Sequence, residues 1–226
     1  MRVCIDTLRM WFRGVRLLLA VIALCSTASA GAFEFEYWPK AIVRVPINEQ
    51  WQFGVEQWVS LTDNATRFKD TQTDLCLIYN GPADWLSVGV GYKRVFAKAD
   101  DGWEIEDRPI LNLALKTKVR GFGVVDRSRF EYRMPQNEQE SWRYRHKLTV
   151  MSPVTFTPLK IQPYTADEVF YSFDGQGFNQ HRVYGGLFLP LHEKVRLELF
   201  YIWRLAKEED GWQGGNVFGS WVYVQF

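Results

Sequence analysis

The stretch Val195–Leu205 (VRLELFYIWRL) decides the fold class, because its side chains alternate between two kinds of face. The apolar face consists of Val195, Leu197, Leu199, Tyr201, Trp203 and Leu205. The opposite face carries Arg196, Glu198 and Arg204 together with two apolar residues. Successive side chains of a β-strand point to opposite sides, so this period of two predicts a strand with one fully apolar face.

The same period recurs along almost the whole chain after residue 30, in segments of roughly ten residues bounded by Gly, Pro, Asn or Asp. The eleven segments are Phe35–Val45, Trp51–Leu61, Thr71–Tyr79, Trp85–Phe96, Pro109–Val119, Phe122–Met134, Trp142–Met151, Leu159–Tyr171, Gln180–Leu189, Val195–Leu205 and Val217–Phe226. Strands that tile a chain in this way predict an all-β, antiparallel protein.

The first thirty residues differ from the rest. Four arginines precede the apolar run Leu17–Leu24, and the small residues of Ser26–Ala30 follow it. This order is typical of a secretory signal peptide, and the run is too short to cross a bilayer as a helix. We expect residues 1–30 to be a signal peptide and 31–226 one barrel domain. A lipoprotein anchored at Cys25 is the alternative, disfavoured by the bulky Leu24 before it.

Charge and cysteine content exclude several classes of protein. Without residues 1–30, which hold four arginines and one aspartate, the chain has 23 basic and 25 acidic residues, a net charge of −2. This balance argues against nucleic acid as a partner. Cys76 is then the single remaining cysteine, so no internal disulfide is expected.

The charged faces indicate a membrane barrel. In Trp142–Met151, the face containing Trp142, Tyr144 and Leu148 opposes one containing Arg143, Arg145 and Lys147. No later stretch approaches the ~20 apolar residues of a spanning helix, so membrane entry would require a closed barrel with its charged face inside. The high tryptophan content, ten residues in the whole chain, suits the aromatic girdles of such barrels. We therefore expect an antiparallel transmembrane β-barrel in the outer membrane of a Gram-negative bacterium.

Connection lengths favour the same architecture. Short links at 46–50, 80–84, 120–121 and 190–194 alternate with longer ones at 62–70, 97–108, 135–141 and 206–216. Bacterial outer-membrane barrels alternate short periplasmic turns with longer external loops, and they have even strand numbers. Eleven segments conflict with that rule. We expect twelve strands, the additional one near Phe33–Lys40, with ten as the alternative.

The end of the chain resembles an outer-membrane assembly signal. Phe226 is terminal, and Val224, Val222 and Phe218 precede it on the same face, with Ser220 as an interruption. The expected partners are therefore the barrel-insertion machinery and outer-membrane lipid.

Several motifs give a family resemblance. They are Trp142–Leu148 (WRYRHKL), Pro163–Tyr164, Asp167–Phe170 (DEVF) and Gly177–Arg182 (GFNQHR). Together they resemble the bacterial domain-of-unknown-function family 2490. The resemblance implies an outer-membrane β-barrel without an established activity.

A basic cluster is the strongest candidate site, since its members project from the charged faces of the predicted strands. The cluster comprises Arg127, Arg129, Arg133, Arg143, Arg145, Lys147, Arg182 and Arg204. The acidic residues expected to neutralise part of it are Glu56, Glu131, Glu168 and Glu198. Two hypotheses follow: a narrow, porin-like pore for small anionic solutes, or a salt-bridged interior of a structural envelope protein.

Two other classes remain as alternatives. A lipid-modifying hydrolase would use His146 with Ser128 or Ser141, although no G-x-S-x-G element accompanies them. A soluble periplasmic ligand-binding β-protein would bury its apolar faces against each other. The three histidines are far apart in sequence, so we expect no metal, cofactor or catalytic site, with His146 and His181 at an interfacial girdle.

Overall fold

Each of the eleven period-two segments forms a β-strand in a computed structural model that describes residues 34–100, 102–208 and 210–226. The strands are β1 Phe35–Pro46, β2 Trp51–Thr62, β3 Arg67–Ala83, β4 Leu86–Ala99, β5 Gly102–Val119, β6 Phe122–Pro135, β7 Ser141–Met151, β8 Gln162–Ser172, β9 Gly177–His192, β10 Val195–Glu208 and β11 Gly211–Gln225. The predicted signal peptide, residues 1–30, lies outside the described residues.

The eleven strands form one sheet that closes on itself as a barrel. Strands adjacent in sequence pair antiparallel, and β1 closes the barrel by pairing with β11 in parallel, from Phe35↔Asn216 to Arg44↔Gln225. Closure leaves no strand edge with unpaired backbone groups. The expected all-β barrel class is confirmed.

No helix in the described part of the chain is long and apolar enough to cross a membrane.

The strand number is eleven, close to the expected twelve. The expected even number followed the rule for bacterial outer-membrane barrels, in which the first and last strands also pair antiparallel. The parallel β1–β11 pair removes that requirement. The region proposed for an additional strand, Phe33–Lys40, instead supplies the start of β1, which continues through Pro39 to Pro46.

The longer connections expected at one end of the barrel are mostly strand extensions. β4 and β5 stay paired as far as Ala99↔Gly102, so most of the link expected at 97–108 belongs to a hairpin. β3 and β11 likewise begin earlier than predicted, at Arg67 and Gly211. The extensions of β3 and β5 are rich in charged residues and that of β11 is rich in glycine, but cross-strand pairing keeps all three extended.

The link at Arg120–Gly121 shows how sequence sets a tight turn at the other end. Val119 pairs with Phe122, and the two residues between them have positive φ values of 51° and 88°. Two positive φ values define a type I′ turn, whose twist matches that of the flanking strands and which favours Gly at its second position. Register between β5 and β6 is therefore fixed locally.

An aromatic layer lies inside the barrel at its middle. The buried cluster contains Trp38, Trp58, Tyr164, Ala166, Tyr184, Phe200, Ile202 and Val217, and Trp221 packs against it. The indole of Trp58 lies 5.0 Å from that of Trp38 and 6.1 Å from that of Trp221, measured between ring centroids. Phe200 contacts Trp221 edge to face at 4.8 Å. These rings fill the interior between the charged side chains.

We predict that Gly186→Ala destabilises the barrel by ~1–3 kcal/mol, the usual cost of overpacking. A Cβ on Gly186 would lie 2.4 Å from the ring of Tyr164, which is buried and donates a hydrogen bond to Glu198. Gly185→Ala is the matched control, since a Cβ there meets no atom within 4 Å. The free energy of unfolding in urea, measured in detergent micelles, compares the two. Equal free energies of unfolding for the two variants would show that a Cβ at Gly186 does not overpack the barrel.

Candidate functional site: the charged interior

The charged interior is built by β6, β7 and β8, whose alternate side chains point inward. The register sets Arg129 opposite Arg145 and Glu131 opposite Arg143. On the next strand, Glu168 lies opposite Lys147. Because neighbouring strands are only ~5 Å apart, these groups lie within salt-bridge distance across the ladder.

Glu131 is the first of two buried carboxylates at the centre of this network, with 0% of its surface exposed. It accepts hydrogen bonds from Arg143 Nε at 2.9 Å and from Arg145 Nη1 at 2.9 Å. Arg129 Nη1 lies 3.7 Å away. Three guanidinium groups therefore surround one carboxylate, which offsets the large cost of removing its charge from water.

Glu168 is the second buried carboxylate, also 0% exposed. It accepts hydrogen bonds from Arg127 Nη2 at 2.9 Å, Arg145 Nη2 at 2.8 Å and the Tyr184 hydroxyl at 2.6 Å. Arg182 Nη1 lies 3.9 Å from Glu168 Oε2, the oxygen that accepts the hydrogen bond from Tyr184. Glu168 thus joins three strands beyond its own.

Arg145 connects the two carboxylates. One side of its guanidinium donates to Glu131 and the other to Glu168, and its Cζ atom lies 4.6 Å from the ring centroid of Phe170. A planar guanidinium with five fixed donors suits such bridging. The three groups form a continuous chain of charge-assisted hydrogen bonds across the interior.

The other two predicted acidic residues lie elsewhere in the interior, with different partners. Glu56 is paired with Lys40 at 2.5 Å and with Arg44, neither of which the sequence argument had included. Glu198 accepts hydrogen bonds from the hydroxyls of Tyr164 and Tyr223. Its hydrogen-bond donors are thus uncharged phenol hydroxyls and not the expected arginines.

Two predicted basic residues are separate from the central network. Arg133 pairs with Glu106 at 2.6 Å, and Arg108 binds the same carboxylate. Arg204 pairs with Glu36 at 3.1 Å. The interior therefore holds several ion-pair groups, and the sequence argument had treated them as one cluster.

Sequence reasoning missed Asp74 and Lys93, which are buried in the interior. Their charged atoms lie 3.7 Å apart, and Arg129 Nη1 lies 3.9 Å from the Asp74 carboxylate. The sequence contained the information needed to find them, since Asp74 and Lys93 lie on one face of the predicted segments Thr71–Tyr79 and Trp85–Phe96. Lys147, which was predicted, places its ammonium 3.7 Å from the ring centroid of Tyr184, a cation–π contact.

The residues of the expected C-terminal assembly signal lie along the closing seam. Phe218 and Val222 are exposed on the outer face of β11, and Val224 is on the same face. Phe226 follows the strand with 62% of its surface exposed, and its backbone N–H donates to Arg44 O at 3.1 Å. The last aromatic side chain is thus accessible at the rim of the barrel.

Two histidines face outward, as the alternation predicts. His146 Nε2 is hydrogen-bonded to Asp126 Oδ1 at 2.9 Å, and His181 Nε2 to Asp167 Oδ2 at 2.6 Å. We expected both at a girdle near the strand ends. His146 is instead the sixth of the eleven residues of β7, a central position that the predicted segment Trp142–Met151 already implied.

The geometry around His146 does not supply an activated serine. Ser128 is its register partner on β6, but the Ser128 hydroxyl is hydrogen-bonded to the Tyr144 hydroxyl at 2.9 Å. A nucleophile must be within hydrogen-bond reach of its base. Within the described residues, no group of three or more His, Cys, Asp and Glu side chains is arranged to hold a metal ion.

Together these features define a closed β-barrel with a charged and filled interior. A model of the family described as "Protein of unknown function (DUF2490)" matches residues 35–215, and the chain belongs to that family. No curated protein and no solved structure matches the chain significantly.

We predict that Glu168→Gln lowers the free energy of unfolding by ~3–5 kcal/mol, because Arg127, Arg145 and Arg182 then share a buried site without its carboxylate. Asp63→Asn is the control. It removes an ion pair with Arg67 whose side chains are more than half exposed, which should cost under ~1 kcal/mol. Urea unfolding in detergent measures the free energy of unfolding of both variants. A loss under ~1 kcal/mol for Glu168→Gln, equal to that of the control, would show that the ion pairs around Glu168 do not stabilise the barrel.

Proposed function

We propose that the protein is a transmembrane barrel of the outer membrane whose closed interior gives it a structural role in the envelope. The observation that carries this proposal is an inverted distribution of side chains. Carboxylates with 0% exposure lie inside, while Leu75, Val90, Leu111 and Leu199 are exposed on the outer wall. Such a surface is unfavourable in water and favourable in lipid.

The topology argues against a soluble sandwich, the third alternative. A sandwich buries two apolar faces against each other. Here one sheet closes on itself with its more apolar face outside. A single closed barrel offers no second sheet to cover that face.

Aromatic pairs near the strand ends support the membrane setting. Trp51 contacts Tyr79 in a tilted arrangement at one end of the barrel, with 4.7 Å between ring centroids. At the other end, Tyr132 lies 4.9 Å from Trp142, and Phe178 lies 5.4 Å from Trp212. Amphipathic rings at two levels are typical of the girdles that flank the apolar band of membrane barrels.

The filled interior favours a structural protein over a pore for small anionic solutes. The Glu131–Arg145–Glu168 chain and the aromatic layer around Trp58 and Phe200 occupy the middle of the barrel. A conducting path requires binding groups that solutes can reach and leave. Charges already paired with each other, at near-zero exposure, do not meet that requirement.

Cell fractionation tests the location. We predict that the protein is found in the outer-membrane fraction, requires detergent for extraction and changes its gel mobility on boiling, as folded barrels do. Recovery in the soluble periplasmic fraction without detergent would contradict the proposal.

The terminal residue provides a test of assembly. We predict that Phe226→Ala reduces the heat-modifiable form in the outer membrane several-fold, because the insertion machinery would lose an exposed aromatic contact. Phe173→Ala, which removes another exposed phenylalanine from the opposite end of the barrel, is the control and should assemble normally. Equal assembly of both variants would show that the insertion machinery does not recognise Phe226.

Conductance separates the structural role from the pore. We predict no stable conductance for the wild-type protein in planar bilayers at neutral pH. Anion-selective steps that change with Arg145→Gln would instead assign the interior to solute passage. Arg94→Gln, on the outer wall, is the matched control.

A further inference from the structure

Four ionisable side chains lie on the outer wall of consecutive strands. Asp126 is on β6, His146 on β7, Asp167 on β8 and His181 on β9. Their side chains are between 28% and 55% exposed, Asp167 the most. We call these four residues the outer-wall patch. It alternates acid and base around the barrel.

The two central residues of the patch lie at the middle of their strands. His146 is the sixth of eleven residues in β7, and Asp167 is the sixth of eleven in β8. In the proposed membrane location, on which this inference rests, both residues would lie near the bilayer midplane. An aspartate facing lipid at that depth is unfavourable, and such residues normally find a polar partner.

Contacts within one chain leave part of this hydrogen-bonding capacity unused. His146 bonds to Asp126 and Asp167 bonds to His181, each through one ring nitrogen and one carboxylate oxygen. A carboxylate has a second oxygen and an imidazole has a second nitrogen. With Asp167 55% exposed, that remaining capacity is directed at the surroundings of the barrel.

The alternation makes the patch complementary to itself. Consider a two-fold axis parallel to the barrel axis and in front of the β7–β8 pair. It sets β7 of one copy against β8 of a second copy, at equal height. His146 then faces Asp167 of the second copy, and Asp167 faces its His146. We propose that the wall formed by β6–β9 is the interface of a homodimer in the membrane.

The neighbouring residues suit close approach of two barrels. Leu148 pairs with Asp167 and Val169 with His146, so apolar side chains lie beside the polar groups. Gly185 is on the same wall, with nothing within 4 Å of a Cβ built on it. Small residues at membrane interfaces let backbones approach, and buried polar pairs then form in a medium without water.

A second copy fits this wall better than a lipid substrate does. Ester bonds of membrane lipids lie in the interfacial region, whereas the hydrocarbon core occupies the middle ~30 Å of a bilayer. Residues at mid-strand would face acyl chains and not esters. The Ser128 hydroxyl is in addition bonded to Tyr144, away from the histidine.

The experiment is single-molecule photobleaching of labelled full-length barrel in liposomes, at a range of dilutions in lipid. We expect a dimer for the wild-type protein and an at least tenfold weaker association for Asp167→Leu, which removes the reciprocal contact. The control is Gln57→Leu. Gln57 is an exposed polar residue of β2 that bonds to Thr71 and Thr73 on the opposite wall. Heat-modifiable mobility verifies that each variant is folded.

Crosslinking defines the face. Leu148→Cys beside the proposed axis should give a species of doubled mass with a short bis-maleimide, and Val55→Cys on β2 should not. A folded, membrane-inserted wild-type protein that stays monomeric would overturn the homodimer while leaving the membrane location intact. Crosslinking through Val55→Cys, or a stable complex of this wall with a different protein, would also overturn it. So would lipid-ester hydrolysis lost in Ser128→Ala. Absence from the membrane would overturn the proposed function itself.

Discussion

The chain of hydrogen bonds from Glu131 through Arg145 to Glu168 is the interaction on which the interior depends. Two carboxylates with no exposed surface are tolerable only where cations reach them from several strands at once. That condition fixes the register of β6, β7 and β8, because a shift by one residue would turn every charge to the outside. The closed sheet and the paired interior therefore require each other.

The parallel closure between β1 and β11 is the second constraint. An even number of strands lets every pair be antiparallel, whereas eleven strands leave one pair that must run in the same direction. Parallel pairing is slightly less stable per residue, but it spans ten register pairs here, from Phe35 to Arg44 on β1. Arg204 adds a cross-seam contact by reaching Glu36 from β10.

The interior also shows how aromatic rings help to accommodate basic groups. Lys40 lies 4.5 Å from the centroid of Trp221, and Lys147 lies 3.7 Å from that of Tyr184. Ring faces carry partial negative charge and stabilise a desolvated ammonium group. The aromatic layer therefore has two roles: it fills the middle of the barrel, and its ring faces add to the stabilisation that the neighbouring carboxylates give Lys40 and Lys147.

The sequence by itself determined the strands and their two faces. Period-two alternation placed β1, β2, β6 and β10 to within a few residues at each end, because side-chain direction depends only on local backbone geometry. The same alternation was sufficient to turn Arg127, Arg129 and Arg145 to one side. Only the tertiary structure decided how eleven strands close into a barrel and which residues pair with Glu198 and Arg204. Those features join residues far apart in sequence, up to 168 positions for Arg204 and Glu36. They are fixed when the sheet closes, by a register that no local pattern contains.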